Sequence, residues 1–209
     1  LEDWADEIHA TVQKIMPEVL AKDETAEAFL SGGVDSSYVV AVSNVKMTDS
    51  CGYEEERFDE SGLAKQTADL LHRENSRCLI TPEMYFDIVP YVMYEMEQPL
   101  ADASAIAFAI ACQETAKHTK ICYSGEGSDE FFGGYNMYRN AERYGENLKT
   151  FYVGNTNIMK EDEKKRILKN YDENVLPIHL VKDIYEEIEE LDPWSKMSDI
   201  DIQIWLEGD

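Results

Sequence analysis

Apolar residues recur through the opening of the chain at Leu1, Trp4, Ile8, Val12, Ile15, Val19 and Leu20, a spacing that predicts an amphipathic helix over 1–21, ending near Lys22-Asp23. Short apolar runs then alternate with longer segments: Ala26 to Leu30, Ser36 to Asn44, Met47 to Tyr53, Ser61 to His72, Arg77 to Thr81, Pro82 to Met96, Ser104 to Lys117 and Lys120 to Tyr123. Strand–helix alternation of this kind predicts an α/β fold, a parallel sheet flanked by helices and wound with right-handed crossovers. Glu54 to Glu60 is a charged connector. No strand is predicted beyond Tyr135. Asn136 to Asp209 reads as helical, with polar loops around Asn155 and Asp192-Pro193, so one domain over 1–209 is expected, with an α/β core at 1–135 and a helical extension at 136–209. Tyr138, Tyr144, Phe151 and Tyr152 are expected to pack that extension on the sheet. His9, His72, His118 and His179 stand in separate elements and are expected to be isolated surface or packing residues.

Candidate chemistry begins at Ser31-Gly32-Gly33-Val34-Asp35-Ser36-Ser37, between the first apolar run and the helix after it. Gly32 and Gly33 carry no Cβ, so consecutive N–H groups can turn toward an anion at the positive end of the helix. Ser31, Ser36 and Ser37 add hydroxyl donors. Asp35 would repel bare phosphate and fits only where a hard cation such as magnesium lies between the two. The spacing is neither that of a Walker loop nor that of a dinucleotide fold. It reads as a seat for magnesium pyrophosphate.

A second glycine loop follows the strand at Lys120 to Tyr123: Ser124-Gly125-Glu126-Gly127-Ser128-Asp129-Glu130, then Phe131-Phe132-Gly133-Gly134-Tyr135. Ligands of open parallel sheets bind beyond the strands' C-terminal ends, so the two loops are expected to face one crevice. Glu126, Asp129 and Glu130 crowd three carboxylates into one turn, which calls for a cation, a base or a raised pKa.

The first loop resembles that of the ATP pyrophosphatases, and the two together resemble the synthetase domain of glutamine-dependent asparagine synthetases. Ser50-Cys51-Gly52-Tyr53-Glu54, the segment Glu97-Gln98-Pro99-Leu100-Ala101-Asp102-Ala103-Ser104-Ala105-Ile106 and the tail around Ile204-Trp205-Leu206 extend the likeness over nearly the whole chain. The resemblance implies an adenine nucleotide alpha hydrolase-like fold. It implies that Ser31, Gly32, Gly33, Asp35 and Ser36 hold the pyrophosphate of ATP, that Leu30, Cys51, Ser124 and Gly125 contact the AMP part, and that Asp35 and Asp129 coordinate magnesium. Glu126 is then the catalytic carboxylate of the ammonia step. Family members usually carry an aliphatic residue where this chain has Cys51, and β-lactam-forming relatives carry tyrosine where it has Glu126. The implied reaction is adenylation of the aspartate side chain with release of pyrophosphate, then attack by ammonia to give asparagine and AMP. Other amide-forming cyclases of the β-lactam or lasso-peptide type, and a non-catalytic nucleotide-binding module, remain open readings.

Composition narrows the partners. Lys and Arg number 19 against 43 Asp and Glu, a formal net charge of -24, which excludes a nucleic-acid surface. The longest apolar stretch, Ala103 to Cys112, is too short to span a membrane, and no leader pattern opens the chain. Cys51, Cys78, Cys112 and Cys122 are widely spaced and read as small core or strand residues of a reducing cytoplasm. Related enzymes begin with a glutaminase domain on the same chain and carry a catalytic lysine shortly beyond the region of Trp205. Neither is found in these 209 residues, so a truncated domain, inactive alone, is expected, with a homodimer left open.

Overall fold

The computed structural model describes residues 2–20, 25–97, 102–144, 152–154 and 159–206. They pack as two compact units, 1–126 and 127–209, so the boundary expected after Tyr135 falls inside the second.

The first unit carries a parallel sheet of strands β1 (Glu27–Phe29), β2 (Met47–Tyr53), β3 (Glu74–Ile80) and β4 (Cys122–Tyr123), in the order β3-β2-β1-β4. Helices α1 (Glu2–Val19), α2 (Val34–Val42), α3 (Ser61–Leu70), α4 (Pro82–Glu95) and α5 (Ala103–Thr115) accompany it. Side chains alternate across the strands, so each face has its own core. Ala28 and Leu30 pack with Val40, Val45, Ala64 and Ala68 on the α2–α3 face. Ile80 packs with Ile88, Val92, Ile106 and Ile110 on the α4–α5 face, with Cys51, Tyr53 and Cys78 against them. Phe29 points to this second face and meets Phe108 of α5 edge-on, ring centroids 5.3 Å apart. A sheet covered on both sides is the parallel arrangement expected from the alternation.

The elements start where capping chemistry places them. Thr81 accepts a hydrogen bond from the Met84 N–H and is followed by Pro82 at the first turn of α4, while Asp102 caps α5 through the Ser104 N–H. Strand β3 begins three residues before the expected Arg77, because an edge strand pairs through its backbone: Met47↔Glu74 to Tyr53↔Ile80 is continuous, although Glu74, Ser76, Arg77 and Leu79 are exposed. The apolar stripe of α1 is present, yet Trp4, Ile8, Ile15 and Val19 are exposed. His9 is not isolated, since its Nδ1 lies 2.9 Å from the Tyr38 hydroxyl. The four thiols are unpaired; Cys112 is exposed rather than buried, and burial pushes Cys51 up to about 12.

The second unit contains α6 (Ser128–Phe132), α7 (Ala141–Tyr144), α8 (Glu161–Ile167), α9 (Ile178–Glu187) and α10 (Pro193–Asp201), then a π-helical turn, Ile202–Leu206. Tyr138, Tyr152, Val181, Tyr185, Met197 and Ile200 belong to a core of its own, so Tyr138 and Tyr152 serve that core. Their hydroxyls both donate to the fully buried Asp201, Tyr138 at 2.6 Å. Tyr185 donates to the Tyr152 carbonyl at 2.8 Å. The Tyr144 side chain, Phe151, the loop around Asn155 and Gln98-Pro99-Leu100-Ala101 lie outside the described residues.

Candidate functional site

Leu30, 1% exposed, ends the central strand run, and its N–H donates to the Asp49 carbonyl at 2.8 Å. The chain then turns through Ser31-Gly32-Gly33 into α2. Gly32 has φ +83°, and a Cβ there would sit 2.8 Å from both Ala64 N and Leu63 Cγ, so only glycine fits. The hydroxyls knit the turn. Ser31 Oγ accepts from the Gly33 N–H at 3.1 Å, Ser36 Oγ accepts from the Ser31 N–H at 3.2 Å, and the two oxygens are 3.0 Å apart. Asp35 is exposed in the first turn of a helix whose leading N–H groups have no intrahelical acceptor. A positive helix end with an outward carboxylate fits an anion carrying a divalent cation better than either ion alone.

Strand β4 pairs with β1, Ala28 opposite Tyr123, and so delivers Ser124-Gly125 beside this turn. A Cβ on Gly125 would lie 2.8 Å from Ser36 N and 3.0 Å from the Asp35 carbonyl carbon. The two glycine loops, remote in sequence, are in contact. Glu126 follows with its side chain exposed, its N–H donating to Ser124 Oγ at 3.3 Å. The Cys51 side chain packs against the α4–α5 core.

Asp129 and Glu130 open α6 in the second unit. Asp129 is half-buried; its carbonyl accepts the Gly134 N–H at 3.0 Å, and a Cβ on Gly134 would fall 1.6 Å from Asp129 Oδ1. Glu130 is a core strut. At 2% exposed it accepts the Tyr135 hydroxyl at 2.7 Å, and its carbonyl accepts the Ser198 hydroxyl at 2.5 Å. Burial, then this bond to Glu130, raises the Tyr135 phenol above its ordinary value. The three carboxylates of the second loop therefore differ in surroundings, and Glu130 has a structural use that the sequence did not separate from the others.

His118 is a correction of a different kind. It is not isolated: Nδ1 lies 3.1 and 3.0 Å from the two carboxylate oxygens of Glu27 at the start of β1. A cavity of about 210 Å³ at the ends of β2 and β3, among Tyr53, Phe58, Ile80, Pro82 and Phe86, is walled by apolar groups and is no phosphate seat. Among the described residues no helix is long and apolar enough to cross a membrane.

Comparison with known proteins bears on the same loops. The family model described as Asparagine synthase matches residues 7–209. The chain is similar to asparagine synthetase (glutamine-hydrolyzing) 1 of Bacillus subtilis (strain 168), 33% identical over 91% of this chain and 36% of the relative. It is similar to a putative asparagine synthetase (glutamine-hydrolyzing) of Mycobacterium bovis, 25% identical over 98% of this chain and 37% of the relative. Amidase chry2 of Gibberella zeae matches 57% of the chain, and 21% of its own length, at 29% identity. The chain thus spans little more than a third of the two synthetases. With the family model matched along nearly all of its length, and with both glycine loops standing at the C-terminal ends of parallel strands, this chain belongs to the asparagine synthase family.

Proposed function

We propose that the chain performs ATP-dependent amide formation: the side-chain carboxylate of aspartate attacks the α-phosphorus of ATP, pyrophosphate leaves, and ammonia displaces AMP from the acyl-adenylate to give asparagine. The observation that carries this reading is the contact of Gly125 with the start of α2, which sets two glycine loops around one helix terminus. In it, Ser31, Gly32, Gly33 and Ser36 bind the pyrophosphate through backbone and hydroxyl donors, while Leu30, Cys51, Ser124 and Gly125 line the AMP side. Asp35 and Asp129 hold magnesium, which supplies charge neutralisation for the phosphates. Glu126 takes the proton that ammonia loses on attack, a task open to an exposed carboxylate beside the loop. A cytoplasmic location and a glutaminase domain supplying ammonia complete the reading; the names of the synthetase relatives include glutamine hydrolysis.

The similarity to a protein named as an amidase points, as a second reading, to an acyl substrate other than aspartate for the same amide-forming loops. Release of pyrophosphate from magnesium ATP, measured with ammonia and a panel of carboxylic acids, separates the two. Aspartate-dependent release supports the first; release with a different acid alone supports the second. Calorimetric titration with ATP and magnesium adds a site test. Asp35→Ala should abolish metal-dependent binding, and unchanged affinity would remove Asp35 from the seat.

A further inference from the structure

Strand β1 opens with a charged residue in a position that both faces of the sheet should make apolar. Glu27 is 8% exposed, and Asp49 on β2, opposite Phe29 and on the same face, is also 8% exposed. Burying one carboxylate in a covered sheet is costly, and burying two side by side is more so. Their ligand atoms and a His118 ring nitrogen all lie within 4.8 Å of one another. Asp49 Oδ2 is buried and has no hydrogen-bond partner. Thr115 Oγ1, on the last turn of α5 above this face, is a second buried oxygen without one. That helix end presents carbonyls, which add negative potential where two carboxylates already stand. The ionisable groups acting on Asp49 are Glu27 and His118, with no lysine or arginine among them. Burial first, and Glu27 next, push the Asp49 carboxyl up to about 7, a measure of how poorly its charge is compensated.

We propose that Glu27, Asp49 and His118 bind a divalent first-row transition-metal cation, by two carboxylates and one imidazole, between the sheet and the C-terminal end of α5. The donor set suits such an ion: oxygens for a hard cation, with one ring nitrogen of the kind that manganese, iron and zinc accept. The His118 side chain is 45% exposed, so the ion has a way in, and the Thr115 hydroxyl stands close by as a further oxygen. The site is separate from the phosphate seat. Glu27 and Ser31 are four residues apart along one extended run, roughly 13 Å. Its role is structural, tying the starts of β1 and β2 to the chain just beyond α5.

The test uses manganese(II) alone, added to the full nucleotide-free chain after chelator treatment and followed by electron paramagnetic resonance. One bound ion per chain is expected, with nitrogen modulation in the pulsed spectrum from the His118 imidazole. Asp49→Asn, nearly the same shape, should weaken binding by more than about tenfold, as should Glu27→Gln, and His118→Gln should remove the nitrogen signal. Asp35→Ala should leave all of this intact. Circular dichroism shows that each variant is folded, and two carboxylate variants guard against one that is not. No stoichiometric manganese, affinity unchanged in folded Asp49→Asn, or loss of the ion in Asp35→Ala would each overturn the proposal, the first in favour of a proton shared by the two carboxylates.

Discussion

Glu126 is the residue whose role is most open to direct test. It is exposed, it follows a loop that touches α2, and its backbone is fixed by Ser124 Oγ. Glutamine in its place keeps shape and hydrogen bonding but accepts no proton at neutral pH. If Glu126 serves the ammonia step, Glu126→Gln in the active enzyme lowers asparagine formation by roughly 10²–10⁴ while ATP binding survives. Parallel measurement of asparagine release and nucleotide affinity decides it; a normal rate would dismiss Glu126, and lost affinity would move it to the binding side. The neighbouring glycines show how a motif becomes a geometry. Gly32 was readable as a residue free of Cβ, but its reason, φ +83° against Ala64 and Leu63 of α3, needed the fold.

Among elements, those with apolar content were legible and those held by backbone or by caps were less so. Strand β2 runs from Met47 to Tyr53 as its sequence predicts, since its side chains alternate between two covered faces. The first half of β3 was hidden because Glu74, Asn75 and Ser76 are polar and join β2 through backbone groups and through the Asn75 amide, which bonds Thr48 and Ser50, not through apolar side chains. Helix α6 was hidden inside a glycine loop, with Gly127 and Gly133 at its two ends in left-handed conformation. The acidic cluster was hidden by distance, as Glu27, Asp49 and His118 come from three elements; the signal available was a carboxylate in each of two strands expected to be covered on both faces. Helix α10 offers a prediction at this scale. Asp192 accepts the N–H groups of Trp194 and Ser195 at 3.0 and 3.2 Å, and the Ser195 hydroxyl, before its backbone bonds, holds its carboxyl below the usual range. A depressed folded-state value gives stability that is full at neutral pH and lost as pH falls through that value. Asp192→Ala should therefore cost about 1 kcal/mol near neutrality. The gap between the two melting curves should close in acid, and a gap that persists there would show that the cap acts without its charge.

Over the whole molecule, a formal charge of -24 sets the background against which each site works. Like charges repel more in the compact state than in the extended one, and salt screens them. Raising sodium chloride from about 20 mM to about 0.5 M should raise the melting temperature by a few degrees, read by differential scanning fluorimetry. A fall would mean that the local pairs, such as Arg77 with Asp59 at 2.7 Å, outweigh the general repulsion. Within the first unit, one short strand bears on more than its length suggests. Strand β1 lies between β2 and β4, begins at the buried Glu27, and leads through Leu30 into the turn at Ser31. Between those ends stands Ala28, wholly buried and paired to a neighbour on each side. Its methyl group is enclosed in the α2–α3 core. Any larger side chain at position 28 would tilt the strand like a beam moved at its midpoint, displacing its acidic and glycine-rich ends together, so two chemically unrelated features share a single steric fault line.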